Sequence, residues 1–141
     1  MIRRLATVAL TFGAFLSTLP LQAQAKAHFV LFALTSSDEV DWRLTLNNVR
    51  NLVSGMAPEP IDVEGVVYGQ GITFLKKDGP DAGEIQELES SHLHFFACGN
   101  AMRKEHLEAA DLVPGTEVVP SGIVEVVRKQ EQGWIYIKAG R

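Results

Sequence analysis

The sequence predicts an α/β protein, a three-layer α/β/α sandwich on a mostly parallel five-stranded sheet. Three observations carry that class. Apolar runs of strand length alternate with segments of helical periodicity, the pattern of repeated strand–helix–strand units joined by right-handed crossovers. The first run, AHFVLFALT at 27–35, is apolar without a break, as a parallel strand covered on both faces must be. Helix-start and turn signals fall between the runs rather than inside them.

Each element follows from local chemistry. After the strand at 27–35, SSDE places Ser36 at a helix N-cap with Glu39 three residues on, a capping box. The helix then sets Trp42, Leu46, Val49, Val53 and Met56 on one stripe, and Gly55 and Pro58 mark its end. IDVEGVVYG at 61–69 reads as the second strand, polar where it starts and apolar where it finishes. A turn in DGPDAGE leads to Asp81 as the next N-cap, with Glu84 three on and a short helix to about Ser90. HLHFFAC at 92–98 is the third strand and NAMRKEHLEAA at 100–110 the third helix. TEVVP at 116–120 is the fourth strand. The last helix spans 121–133, capped by Ser121 and closed by Gly133, and WIYIK at 134–138 is the fifth strand.

The chain opens with Arg3 and Arg4, an uncharged apolar stretch from Leu5 to Leu19, and Ala23-Gln24-Ala25. That order is the one a signal peptidase cuts, and the stretch is shorter than the ~20 residues of a membrane span. Residues 1–25 are therefore expected to be a signal peptide, 26–141 the mature domain, and the periplasm its compartment. Cleavage takes Lys and Arg from 13 to 11 against 17 acidic residues, a net charge of about −6. No basic run survives, which argues against nucleic acid and against stable membrane association after cleavage.

In an open α/β sheet, ligands bind beyond the carboxyl ends of the strands. That edge collects Thr35-Ser36, Tyr68-Gly69-Gln70-Gly71, Cys98-Gly99-Asn100 and Pro120-Ser121-Gly122. Cys98 is the chain's one cysteine. It precedes a predicted helix whose free N–H groups favour an anion such as a thiolate, with Arg103 and Lys104 expected in the first turn. Gly99 leaves room for a partner to approach the sulfur. The alternative is a small buried cysteine filling a strand end. His92 and His94 share a strand face with Cys98, but at ~3.3 Å per residue His94 lies about 13 Å away, which excludes a Cys–His dyad within the strand. A metal at the two histidines would need a further ligand. His106 falls on a packing stripe. GQG at 69–71 lacks the full dinucleotide pattern and reads as a tight turn, and Ser121 as a cap with no neighbour to activate it. The sequence calls for no cofactor and no metal.

Three stretches, EGVVYGQGITFL (64–75), FFACGNAMRKEHL (95–107) and LVPGTEVVPSGIVEVVRKQEQGWIYIKAG (112–140), resemble the DsrE/DsrF-like family. The resemblance implies a compact α/β sandwich that forms homo-oligomers, often trimers or hexamers. Sulfur-relay members carry a persulfide on one cysteine after a sheet strand, and Cys98 is the matching position. The family often places a histidine before the glycine that ends strand two; this chain has Tyr68 there. With the resemblance, the leading expectation is a periplasmic sulfur-handling protein carrying sulfur on Cys98, served by a sulfur donor or acceptor protein. Asn100 and Gly99, with Gly69, Gln70 and Ser121, would stabilise the anion. The other expectation is a non-catalytic oligomeric module that holds a small anion or metabolite at the same sheet edge.

Overall fold

The computed structural model describes residues 27–91 and 93–141. The predicted signal peptide and His92 lie outside the described residues. Five strands, β1 (His28–Leu34), β2 (Ile61–Val67), β3 (Leu93–Cys98), β4 (Glu117–Val119) and β5 (Ile135–Lys138), form one sheet in the order β4-β3-β2-β1-β5. Every pairing is parallel, so the expectation of a mostly parallel sheet becomes a wholly parallel one.

Four helices, α1 (Glu39–Met56), α2 (Ala82–Glu89), α3 (Gly99–Lys104) and α4 (Gly122–Glu131), flank the sheet. The strand order decides which side each takes. The chain steps in one direction from β1 to β4, so α1, α2 and α3 share one face. It then returns past the whole sheet to β5, which puts α4 on the other. Packing agrees: Trp42, Leu46 and Val49 of α1 and Met102 of α3 join Val30, Phe32 and Leu34 in the main core, while Val126 of α4 packs on Leu31, Ala33 and Val66. Val53 and Met56 complete the predicted stripe at the core margin.

The second face is thinly covered, because one ten-residue helix lies over five strands. Glu64, in the middle of the central strand β2, points to this side and is buried. Its Oε1 accepts a bond of 2.5 Å from Lys129 Nζ on α4. Lys129 also lies 4.5 Å from the centroid of the Trp134 ring. This pair pins α4 to the sheet.

Three local expectations are corrected. The cap of α1 is Asp38, whose carboxylate accepts from the Val40 N–H at 2.8 Å; Ser36 instead accepts from the Asp38 N–H. Gly69–Leu75 forms a 3-10 helix that buries Ile72, Phe74 and Leu75, where a turn alone was expected. The third helix stops at Lys104, well short of residue 110. Leu107 N–H bonds back to Met102 C=O at 2.9 Å, and His106 takes a left-handed φ of 54°. The chain is then free to bring Leu112 and Val113 into the core, with Val113 N–H bonded to Leu75 C=O. Tertiary burial overrides a sequence of good helix formers.

Candidate functional site

The strand order resolves which of the four carboxyl-edge segments are neighbours. β2, β3 and β4 are adjacent, so Tyr68-Gly69, Cys98-Gly99-Asn100 and Ser121-Gly122 come together. The chain leaving β3 enters α3 on one face, and the chain leaving β4 enters α4 on the other. Adjacent strands whose exits diverge to opposite faces leave a crevice between them, the switch point where α/β sheets bind ligands. Cys98 pairs with Val119 at that crevice.

Cys98 is buried, with 5% of its surface exposed, and lines a cleft of about 280 Å³. Tyr68 and Gly69 form one wall, Asn100 and Lys104 of α3 another, and Ser121 and Ile123 the third. Gly69 has a left-handed φ of 60°, so the turn out of β2 requires glycine here. Gly122 lets α4 start against the site: a Cβ at this position would lie 2.8 Å from the Tyr68 Cβ and 3.1 Å from the Cys98 Cβ. Burial pushes the Tyr68 phenol above its ordinary value, with Tyr136 adding to it, so Tyr68 keeps its O–H.

Of the six expected site residues, four meet here: Cys98, Asn100, Gly69 and Ser121. Gly99 lines a second cleft on the other side of α3. Gln70 is exposed and does not line either one; its backbone C=O accepts from Thr73 Oγ1. Ser121 sits at the N-cap of α4 without a side-chain capping bond. Arg103 and Lys104 fall in the last turn of α3, because that helix has only six residues. Arg103 turns back along the helix to donate to Asn100 Oδ1. A helix so short has a small macrodipole, so charge at the cleft comes from the Lys104 ammonium.

Beyond the expected six, the cleft is lined by Tyr68, which the sequence already sets at the end of strand two, by Lys104, which it sets close to Cys98, and by Ala101 and Ile123, which sequence reasoning missed. Tyr68 stands next to a glycine already picked out. Lys104 is four residues beyond Asn100, one helical turn, and so returns above the same strand end. Ile123 required knowing that β4 lies beside β3. Among the described residues, no group of three or more histidine, cysteine or acidic side chains could hold a metal ion. No described helix is long and apolar enough to cross a membrane.

The DsrE/DsrF-like family profile matches residues 5–139. The chain belongs to the DsrE/DsrF-like family. A solved structure with which it shares 34% identity is that of MTH1491, a protein of unknown function from Methanobacterium thermoautotrophicum. The two superpose with a TM-score of 0.75 over 79% of this chain and 98% of that one. No curated protein matches the chain. For this DsrE/DsrF-like protein, membership suggests a function related to sulfur relay.

Proposed function

We propose that the protein is an exported sulfur-handling protein in which Cys98 accepts a sulfane sulfur and carries it as a persulfide. The observation that carries this reading is the lone cysteine at the β3–β4 switch point, lining a cleft with Lys104, Asn100 and Tyr68. The Cys98 thiolate attacks the terminal sulfur of a polysulfide. A new S–S bond forms, the donor's S–S bond breaks, and the shortened polysulfide leaves with the electron pair. No external oxidant or reductant is needed. The Lys104 ammonium offsets the negative charge of attacker and donor, and the Tyr68 hydroxyl and Asn100 amide supply hydrogen bonds to the terminal sulfur. A single thiol suits a carrier. A dithiol oxidoreductase needs a second, resolving cysteine.

The carrier acts as a homo-oligomer and exchanges sulfur with a donor or acceptor protein. Ile123, Val124 and Val127 stand exposed on the outer side of α4, at the spacing of one helical face, and Ile135 and Tyr136 are exposed on the edge strand β5. A helix that is apolar on its outer side as well as toward the sheet fits an interface. Ile123 belongs both to this face and to the Cys98 cleft, so a neighbouring copy would stand beside the sulfur. Sedimentation at micromolar concentration should show a trimer or hexamer; a species at the mass of one chain refutes the assembly.

Burial of Cys98 and the tight fit of Gly122 favour a second reading, a binding module in which the thiol only packs. Alkylation separates the two. Folded protein that reacts with a small alkylating reagent supports the carrier. A Cys98 inert up to about pH 9, where an ordinary thiol of pKa ~8.5 is mostly thiolate, is packing.

A further inference from the structure

On the far side of α3 from the Cys98 cleft lies a second cleft, of about 470 Å³, within the range of small-ligand sites. Its apolar lining is made by Met102, Leu107 and Val118, of which Met102 is buried and Val118 exposed. Its rim carries Arg103 and His106. Neither side chain has a carboxylate partner among the described residues, although the chain holds 17 acidic residues against 13 Lys and Arg; Arg103 donates only to the neutral Asn100 amide oxygen. The one acid on the lining, Glu108, is already engaged: its carboxylate accepts the Asp111 N–H in a reciprocal capping box.

His106 is the more telling of the pair. It occupies the left-handed position that closes α3, where glycine is ordinarily found. A left-handed histidine is strained, and the local hydrogen bonds, from His106 N–H to Arg103 C=O and Leu107 N–H to Met102 C=O, need only the backbone. The imidazole is therefore not required by the turn, yet His106 lines the cleft together with Arg103.

We propose that this cleft binds a small organic anion with an apolar tail, a carboxylate head held by Arg103 and His106 and a short hydrocarbon chain lying on Met102, Leu107 and Val118. The site lies on the other face of α3 from Cys98, linked to it only through the bond that Arg103 donates to Asn100 Oδ1; because octanoate binding is read directly, its failure would leave the reading at Cys98 untouched.

Calorimetric titration of the full-length protein with octanoate tests the proposal, with octylammonium as the cation of matched tail. Octanoate should bind saturably at one site per chain, and octylammonium at least tenfold more weakly. Arg103→Ala should weaken octanoate at least tenfold. His106→Gly should weaken it tenfold as well while raising the melting temperature, because glycine relieves the left-handed strain; loss of binding then cannot be blamed on unfolding. Absence of saturable octanoate binding, equal binding of octylammonium, or wild-type affinity in His106→Gly overturns the assignment.

Discussion

Replacing Gly122 by alanine sets two physical effects against each other at the proposed site. Gly122 is the first residue of α4, and alanine is the better helix former by roughly 0.5–1 kcal/mol. Propensity alone thus predicts a gain in stability. The structure predicts the opposite sign. The added methyl would stand 2.8 Å from the Tyr68 Cβ, 3.1 Å from the Cys98 Cβ and 3.2 Å from the Tyr68 Cγ. These are the roots of side chains at the ends of β2 and β3, so the sheet holds them and α4 must yield. Overpacking of this kind costs about 1–3 kcal/mol, leaving a net loss between about zero and 2.5 kcal/mol after the propensity gain. Gly55, in α1, is the control: nothing lies within 4 Å of its added Cβ. Gly55→Ala should gain up to about 1 kcal/mol. Urea denaturation of both variants reads the two signs. Gly122→Ala should also alkylate faster at Cys98, as the first turn of α4 lifts from the sulfur. A Gly122→Ala protein as stable as Gly55→Ala, with unchanged thiol reactivity, refutes the reasoning about how α4 closes the cleft.

Removing Lys129 leaves the Glu64 carboxylate buried and unpaired. Lys129→Met should therefore cost about 3–5 kcal/mol near pH 8. Burial raises the Glu64 value above 4.5, so the cost should shrink as acid protonates it, and Glu64→Leu in the same chain should recover most of it. Glu89, raised to about 7 by burial, holds more protons folded than unfolded between about pH 4.5 and 7. Its contribution is present in full below 4.5 and lost as pH rises through 7. Denaturation against pH should show a fall of no more than about 2 kcal/mol after solvent screening, absent in Glu89→Gln. Asp41 has the reverse sign: hydrogen bonds from Ser36 and Arg141 hold it at about 2. Asp41→Asn should lower the melting temperature at pH 7 and have little effect at pH 2, where the wild-type contribution is also being lost.

The fold was legible where burial and periodicity coincide. The unbroken apolar run of β1 and the stripe Trp42–Leu46–Val49 each bury a whole side of an element, so pattern alone identifies them. The end of α3 was not legible. Its sequence continues with helix formers, and what stops it is the non-local demand that Leu112 and Val113 reach the core. Glu64 was hidden for a similar reason. A carboxylate inside a strand reads as a polar strand start until Lys129, from an element 65 residues away, is known to meet it. At the site, Cys98, Gly69, Asn100 and Ser121 could be found because the carboxyl-edge rule needs only strand ends. Lys104 follows from helical spacing to Asn100, Ile123 depends on a strand order that one sequence does not reveal, and Gln70 was included only because it lies between two glycines.

The central claim is that Cys98 takes up sulfane sulfur, and intact-mass spectrometry of polysulfide-treated protein tests it most directly. Wild type should gain one sulfur, ~32 Da, removable by thiol reductant, with the peptide containing Cys98 carrying the added mass. Cys98→Ser should gain none. An unmodified wild-type mass, or equal uptake by Cys98→Ser, would contradict the account.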